Sequence, residues 1–189
     1  MAAHNLFLET GYSKTTIADI ARRANVTKRT LYSYFPSKIT LYIEMYDYYL
    51  ERYHQVIVDA VRSEMPTREK LLFLMDSLFA FTKDNEKFMR LFWMIDSEEY
   101  GGDLSDDLTE RIRNWSIENI REARPLVKLA FEEGVIIDIE PEMLIHLISA
   151  VNKGIMTHTH KERKFNIAHI DPESLYSQFR HILLRSIFL

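Results

Sequence analysis

A short stretch near the start of the chain carries the side chains best suited to binding another molecule. Residues 28–34 read KRTLYSY, so two cations, two hydroxyl groups and two phenols occur within one short segment. At about 100° per residue in a helix, Arg29, Thr30 and Ser33 share one side, and Leu31 lies on the other. This apolar side is too narrow for a core helix, so most of the surface must face a partner. Such donors suit the phosphates and base edges of duplex DNA.

The residues around this stretch predict two short helices joined by a sharp turn. Thr16 offers a side-chain oxygen to the free N–H groups of the first helix, and Asp19 completes an arrangement like a capping box. Apolar residues then recur with the i, i+3, i+4, i+7 spacing of one buried face. Asn25 accepts the left-handed conformation of a sharp turn, and Thr27 caps a second helix predicted over residues 28–35. This outline is that of a helix-turn-helix DNA reader.

The segment from Phe7 to Lys38 resembles the N-terminal domain of the tetracycline-repressor (TetR) family of bacterial regulators. The matching pattern is F7-L-E-T-G11-Y-x-x-T-T-I-A-D-I-A-R-R-A-x-V-T-x-x-T-L-Y-x-Y-F-x-S-K38. Two positions depart from it, because Asn25 stands where the family usually has glycine and Arg29 stands where a small residue or proline is common. A guanidinium at Arg29 favours guanine contacts that a small residue cannot make. Met1 falls inside the predicted first helix, which usually begins earlier in the family.

The resemblance implies a role for eight residues. It places Lys28 and Arg29 at base edges, and it gives Thr30 and Tyr32 further contacts with bases or methyl groups. The residues implied to bind backbone phosphates are Thr16, Thr27, Tyr34 and Lys38. A homodimer with these contacts would place two recognition helices in successive major grooves, about 34 to 36 Å apart, on a palindromic DNA operator.

The charge distribution supports a DNA-binding front end. The whole chain has a net charge of −4, which by itself argues against a nucleic-acid binder. Residues 1–40, however, contain six lysines and arginines against two acidic residues, so this part carries +4 and the remainder −8. A basic head on an acidic body attracts phosphates to the head and repels DNA elsewhere.

Composition excludes several other classes of protein. The chain has 189 residues, 47% of them hydrophobic, and no cysteine, so it can bury a core but has neither disulfides nor thiolate sites. We see no apolar run near the roughly 18 residues of a membrane span and no signal peptide, so we expect a soluble cytoplasmic protein without a membrane partner. Phosphate loops, nucleophile elbows and paired-carboxylate motifs do not occur, so we expect neither enzyme activity nor a cofactor.

Histidines offer the only hint of a metal site. His158 and His160 lie two positions apart, with His146 nearby. Residues at i and i+2 of a helix point roughly 200° apart, so these two cannot bind one ion unless the helix has ended. We therefore predict no metal site and assign the histidines to solvent or to hydrogen bonds.

Periodicity over the rest of the chain predicts an all-α fold of about nine helices. A three-helix head, including a first helix over residues 2–10, forms the predicted DNA-binding domain 1–45, and the remainder is the ligand-binding and dimerisation domain 46–189. The predicted helices after the head cover residues 38–64, 67–84, a stretch ending near 95, 105–133, 141–160 and a last segment from about 172. Pro125 should kink or divide the helix that contains it. Gly101 and Gly102 predict a mobile loop beside a pocket.

The body has features of a ligand-binding and dimerising domain. Its middle helices are apolar on more than one face, so they are either central or wall a cavity. The ligand-binding candidates, which suit a largely apolar or aromatic effector, are Tyr53, Met75, Phe79, Phe92, Met94, Trp115, Asn119 and Asn152. Small and apolar residues along the penultimate helix predict that the last two helices of each chain form a four-helix bundle with those of a second copy. The alternative is that these helices form the core of the monomer.

Together these features predict a homodimeric, ligand-released transcriptional repressor. A small molecule in the body would favour a shape in which the long fourth helix swings and the heads no longer match the spacing of the grooves. Two alternatives remain open. One is a regulator of the same fold that activates transcription or answers to a protein partner, and the other is a ligand-binding protein that no longer binds DNA.

Overall fold

The fold is a series of α-helices. The structure, a computed structural model, describes residues 2–95, 106–167 and 170–189, with side chains for these residues except 91, 94, 95 and 106–108. The helices of the described residues are α1 (Ala2–Thr10), α2 (Ile17–Arg23), α3 (Lys28–Tyr34), α4 (Lys38–Arg62), α5 (Thr67–Asp84), α6 (Glu86–Ile95), α7 (Asp106–Glu132), α8 (Pro141–Phe165) and α9 (Pro172–Ser186). The predicted all-α architecture of about nine helices is confirmed. The predicted loop at Gly101 and Gly102 lies outside the described residues.

The chain divides into two compact units. The first contains the described residues of Met1–Arg52 and Lys87–Arg111, and the second contains those of Tyr53–Glu86 and Ile112–Leu189. Helix α4 is continuous, so its first residues belong to the first unit and its last residues to the second. The boundary predicted at residue 45 divides a DNA-binding domain from a ligand-binding and dimerisation domain. Because this division is defined by function, it stays a prediction.

A small aromatic core holds the helices of the first unit. Phe7 is fully buried, and its ring meets the ring of Tyr42 edge-on with 4.9 Å between centroids. Ile20 of α2 and Leu31 of α3 are buried as well. Gly11 ends α1 with a φ of +81°, a left-handed conformation that glycine adopts without steric cost. The core therefore fixes the short helices that carry the candidate DNA-reading side chains.

The second unit is built around an extended hydrophobic core. Buried side chains from α4, α5, α7, α8 and α9 form this core, and Ile136 and Phe188 join it. The C-terminus pairs with the segment after α7, because Leu189 N–H donates to the carbonyl of Val135 at 3.0 Å. Pro125 lies inside α7 without ending it, so of the two predicted outcomes division of the helix does not occur and a kink stays a prediction. The core side chains on both sides of Pro125 hold the helix together.

The end of α8 differs from the prediction. The helix continues beyond His160 to Phe165, and Asn166 ends it in the left-handed conformation with a φ of +53°. Periodicity missed this last turn because its residues are mostly charged and exposed, so no apolar face marks it. His158 and His160 consequently lie inside a helix, and each approaches a different carboxylate, Glu162 and Glu86 respectively.

Neither a candidate metal-binding group nor a candidate membrane span occurs among the described residues. No group of three or more potential ligands that could hold a metal ion occurs among them. None of the described helices combines the length and apolar character needed to cross a bilayer.

Candidate nucleic-acid interface

The start of α2 is fixed by Thr16 and Asp19. The Thr16 hydroxyl oxygen accepts from the backbone N–H of Asp19 at 3.2 Å, and the hydroxyl donates to Asp19 Oδ2 at 2.6 Å. The hydrogen bond from Thr16 and the nearby charge of Arg22 lower the pKa of Asp19. The predicted N-terminal cap is confirmed. Thr16 therefore lies at the start of α2, and its predicted phosphate contact would be made from that position.

The turn between α2 and α3 is a Schellman motif. Asn25 adopts a φ of +55°, its N–H donates to the carbonyl of Arg22 at 3.2 Å, and Val26 N–H donates to the carbonyl of Ala21 at 3.0 Å. These are the two hydrogen bonds that define this helix ending. The predicted left-handed role of Asn25 is confirmed, so the turn forms here without the glycine that is usual in the family.

Helix α3 presents nearly its whole surface to solvent. Thr27 caps it by accepting from the backbone N–H of Thr30 at 3.0 Å, and Phe35 closes it by donating to the carbonyl of Leu31 at 2.9 Å. Leu31 is the buried residue of α3, at 8% exposure. The helix ends one residue before the predicted end, because Phe35 has an extended backbone. A helix that is capped at its start and packed against the protein on one side only can enter the major groove of DNA.

The reading residues of α3 point outwards. Lys28, Arg29 and Thr30 are exposed, and the phenols of Tyr32 and Tyr34 are 50% and 75% exposed. Within the described part of the chain, neither Lys28 nor Arg29 has an ion-pair partner. An unpaired cation needs no internal bond to be broken before it can meet a phosphate or a base edge.

Two other cations of the head are paired with acids. Arg23 makes two hydrogen bonds to Glu9, at 2.5 and 2.7 Å, and Arg22 bonds to Asp19 at 2.6 Å. The hydrogen bond from Arg23 lowers the pKa of Glu9. The positive charge counted along the sequence is therefore only partly unpaired. The exposed lysines and arginines of the head without an ion-pair partner among the described residues are Lys14, Lys28 and Arg29.

Lys38 is directed inwards. Its Nζ donates to the carbonyl oxygens of Tyr12 and Thr15, at 3.0 and 3.2 Å, and lies 4.1 Å from the centroid of the Tyr12 ring. Sequence analysis missed these contacts. A cation in the first turn of a helix opposes the helix dipole, but Lys28 has the same position in α3 and remains exposed, so this signal alone would not have found the contacts.

The ligand-binding candidates do not form one described site. Tyr53 packs against Trp115 with ring centroids 5.4 Å apart. Burial raises the pKa of Tyr53 to about 12, against the opposing effect of a hydrogen bond with Ser149. Met75 belongs to the core of the second unit, and Phe79 stacks on Tyr176 with centroids 3.9 Å apart.

Two further candidates belong elsewhere. Phe92 lies in the first unit, where its ring neighbours Tyr46 and Phe88. The side chain of Met94 is outside the described atoms. Because these two do not join the candidates of the second unit in a described cavity, the ligand-binding role of the set stays a prediction.

Two buried asparagines of the second unit differ in one respect. Asn119 is 7% exposed, and its Oδ1 accepts from Nδ1 of His54 at 2.8 Å. Asn152 is 3% exposed, and among the described residues neither its Nδ2 nor its Oδ1 has a hydrogen-bond partner. Asn152 lies on the buried face of α8 between Ile148 and Met156. A buried amide without partners is unfavourable unless a bound molecule or water satisfies it.

The outer face of α8 is apolar and uncovered in the single chain. Met143 and Leu147 are 54% and 43% exposed, and Ala150 and Gly154 are exposed along the same stripe. A Cβ built on Gly154 would meet no atom within 4 Å, so another helix can approach closely there. On α9, Ile182 is also exposed.

Comparison with known proteins connects this geometry to one family. The sequence profile described as "Bacterial regulatory proteins, tetR family" matches residues 1–45. The activator FasR of Mycolicibacterium smegmatis is 29% identical over 91 residues, which are 48% of this chain and 42% of that protein. The negative regulator IcaR of the biofilm operon icaADBC in Staphylococcus aureus (strain Newman) is 26% identical over 123 residues, 61% of this chain and 62% of that protein. The chain thus spans less than two thirds of either relative.

A solved structure extends the similarity of fold to the body. The regulator FadR of Bacillus subtilis, solved in complex with stearoyl-CoA, superposes with a TM-score of 0.73. The match covers 96% of this chain and 94% of that one at 16% sequence identity. At this identity the comparison establishes a shared fold, and it leaves ligands and contact residues to be argued from the side chains.

Proposed function

We propose that the chain is a transcriptional regulator of the TetR family, a homodimeric repressor released from a palindromic operator by a small, largely apolar ligand. The observation that carries the proposal is α3, a capped helix with one buried residue and two exposed cations without ion-pair partners in the described chain. Such a helix has no packing role that would require Lys28 and Arg29. Their placement is explained if DNA is the partner.

The contacts follow from what each side chain offers. Arg29 can donate two parallel hydrogen bonds to a guanine, and Lys28 supplies a second cation at the start of the same helix. Thr30 and Tyr32 lie on the exposed surface of α3 for further base or methyl contacts. Thr16, Thr27 and Tyr34 surround them at the ends of the two helices, where phosphate contacts set the register.

Dimerisation is proposed through α8 and α9. The exposed stripe of Met143, Leu147, Ala150 and Gly154 is apolar where a lone surface helix would be polar. The open space at Gly154 permits close approach of the partner's helix. A second copy related by twofold symmetry covers the same stripe on both chains and presents two heads to one operator.

The effector is proposed to bind in the second unit, with Asn152 as a polar anchor. The Asn152 amide can donate and accept at once, and no described residue satisfies it. Tyr53 and Trp115 offer aromatic surface in the same unit. The similar fold of FadR holds stearoyl-CoA, a molecule with a long apolar chain and a carbonyl group. Release follows if the ligand prefers the dimer shape whose heads do not fit the operator.

The first test is selection of genomic fragments by the purified protein, followed by gel shifts with Arg29→Ala and Tyr34→Phe. We expect Arg29→Ala to weaken the selected site by about 1 to 3 kcal/mol and to relax its base preference. Tyr34→Phe removes only one hydroxyl, so we expect a smaller loss without a change in preference. Equal binding of all three proteins to every fragment would contradict the proposed reading of bases by α3.

The main alternative is activation of transcription, since FasR is named as an activator and IcaR as a negative regulator. A regulated promoter fused to a reporter distinguishes activation from repression, because deletion of a repressor raises transcription and deletion of an activator lowers it. A second alternative is control by a protein partner, and it predicts that no small molecule releases the DNA. A ligand-binding protein that no longer binds DNA would select no fragment.

A further inference from the structure

We propose that Lys38 is a positioning residue, whose ammonium fastens the first turn of α4 to the loop between α1 and α2 and does not itself bind a DNA phosphate. The proposal replaces the phosphate contact that resemblance to the family assigns to this lysine. It concerns the first unit alone, where all the contacts lie. If it is correct, Lys38 acts on DNA recognition only through the helix-turn-helix that it holds.

The geometry uses the bonding capacity of the ammonium. Two of its three donors are within hydrogen-bond distance of the Tyr12 and Thr15 carbonyls, and the Tyr12 ring lies beneath the charge. Both carbonyls follow the end of α1, and the Tyr12 carbonyl also accepts from the backbone N–H of Thr15 at 3.3 Å. To reach a phosphate, Lys38 would have to leave both acceptors and the ring.

The loop held by Lys38 leads directly into the helix-turn-helix. Thr15 is 2% exposed, and its hydroxyl donates to the carbonyl of Gly11 at 2.7 Å. The next residue, Thr16, is the N-cap of α2. Tyr12 packs in turn against Tyr42 of α4, with ring centroids 4.7 Å apart. The contact of Lys38 with Thr15 therefore lies one residue before the N-cap of α2, so losing it should loosen the position of that helix.

The electrostatic setting supports a structural role. Partial burial lowers the pKa of Lys38, because desolvation disfavours its charged form. Its place in the first turn of α4 is also unfavourable for a cation. No carboxylate among the described residues is paired with it. The carbonyls and the ring therefore supply the stabilisation that keeps the ammonium inside. Lys28 also begins a helix, but it is exposed and has no ion-pair partner among the described residues.

The experiment compares Lys38→Met with Lys28→Met, which remove the same charge from an inward and an outward lysine. Thermal unfolding is measured without DNA, and affinity for a mixed-sequence duplex is measured across a series of salt concentrations. We expect Lys38→Met to lower Tm by on the order of 4 °C and to leave the salt dependence of binding unchanged. Lys28→Met should leave Tm unchanged and reduce the slope of log affinity against log salt by about 0.9 for each phosphate that the variant no longer neutralises.

A second measurement covers the case in which Lys38→Met does not fold. In Lys38→Gln, hydrogen exchange at the Thr15 and Thr16 amides should accelerate at least severalfold over the parent, and exchange in α3 should also rise. The proposal is overturned if Lys38→Met keeps the parent's Tm and, like Lys28→Met, reduces the slope of log affinity against log salt. It is also overturned if hydrogen exchange in Lys38→Gln is the same as in the parent. Only the salt measurement rests on the proposed function, so a parent that binds no DNA would contradict that function and leave the Tm and exchange results decisive.

Discussion

The capping threonines of the head and one buried asparagine of the body differ in whether their polar groups have partners. In the head, Thr16 and Thr27 each bond the backbone three residues ahead, and the remaining polar surface of α3 faces solvent. In the body, Asn152 is buried with neither amide atom bonded within the described chain. The proposed DNA interface is therefore complete before DNA arrives, whereas the proposed effector site lacks a partner. The contrast therefore separates the residues proposed to bind DNA from the one proposed to bind an effector.

The same contrast applies to exposed surfaces. The outward face of α3 is cationic and hydroxylic, and the outward face of α8 is apolar around Leu147. Exposed donors are stable in water and gain from phosphate, but an exposed apolar stripe gains only when another surface covers it. We therefore expect substitutions on the outward face of α3 to act on DNA binding and substitutions on the outward face of α8 to act on assembly first.

The largest expected effect comes from Leu147→Glu. A carboxylate in the centre of the proposed interface would be desolvated on assembly without a partner, so the variant should be monomeric. A single head then meets one half-site, and operator affinity should fall by about a hundredfold or more because the effective concentration of the second head is lost. Sedimentation measures the assembly, and gel shifts measure the affinity.

Ile117→Glu is the matched control for that variant. Ile117 is an exposed apolar residue of α7, at 53% exposure, and it lies outside α8 and α9. The same substitution there should leave the dimer and the operator affinity intact. A monomeric Ile117→Glu, or a dimeric Leu147→Glu with full affinity, would place the interface elsewhere.

The next effect concerns the two buried asparagines. In Asn119→Leu, the N–H of His54 loses its acceptor, so the free energy of unfolding should fall by about 1 to 3 kcal/mol. In Asn152→Leu, no internal hydrogen bond is lost and an unsatisfied amide is removed, so stability in the absence of ligand should be unchanged or higher. Chemical denaturation of the two variants measures the difference.

The same pair tests the polar anchor. Long-chain acyl-CoA, the ligand class present in the FadR structure, is added to the parent and to Asn152→Leu bound to operator DNA. If the ligand releases the parent, we expect Asn152→Leu to need at least tenfold more, since its leucine cannot bond a carbonyl. A destabilised Asn152→Leu would mean that the amide already has a partner inside the protein, and an unchanged ligand response would remove it from the site.

Sequence reasoning succeeded where a structure depends on near neighbours. The caps at Thr16 and Thr27 and the turn at Asn25 follow from short-range chemistry, and each is present as predicted. The same reasoning did not predict the carbonyl contacts of Lys38, whose acceptors lie more than twenty residues earlier in the chain. The phosphate contact assigned to Lys38 stays a prediction. Apolar periodicity found the helices of the body, but it does not distinguish a core residue such as Met75 from one that faces a ligand. The end of α8 was misplaced because charged residues carry no such period.

The smallest expected effect tests how locally the head is determined. Asn25 holds a φ of +55°, so Asn25→Ala should lower the free energy of unfolding by about 1 kcal/mol, because alanine pays the steric cost of the left-handed region. Asn25→Gly should change it by only a few tenths of a kcal/mol, since easier backbone geometry is offset by greater freedom in the unfolded chain. Both variants should keep the parent's salt dependence of DNA binding, because Asn25 supplies no charge. A loss in Asn25→Gly as large as in Asn25→Ala would show that the asparagine side chain itself, and not the turn conformation, supports the head.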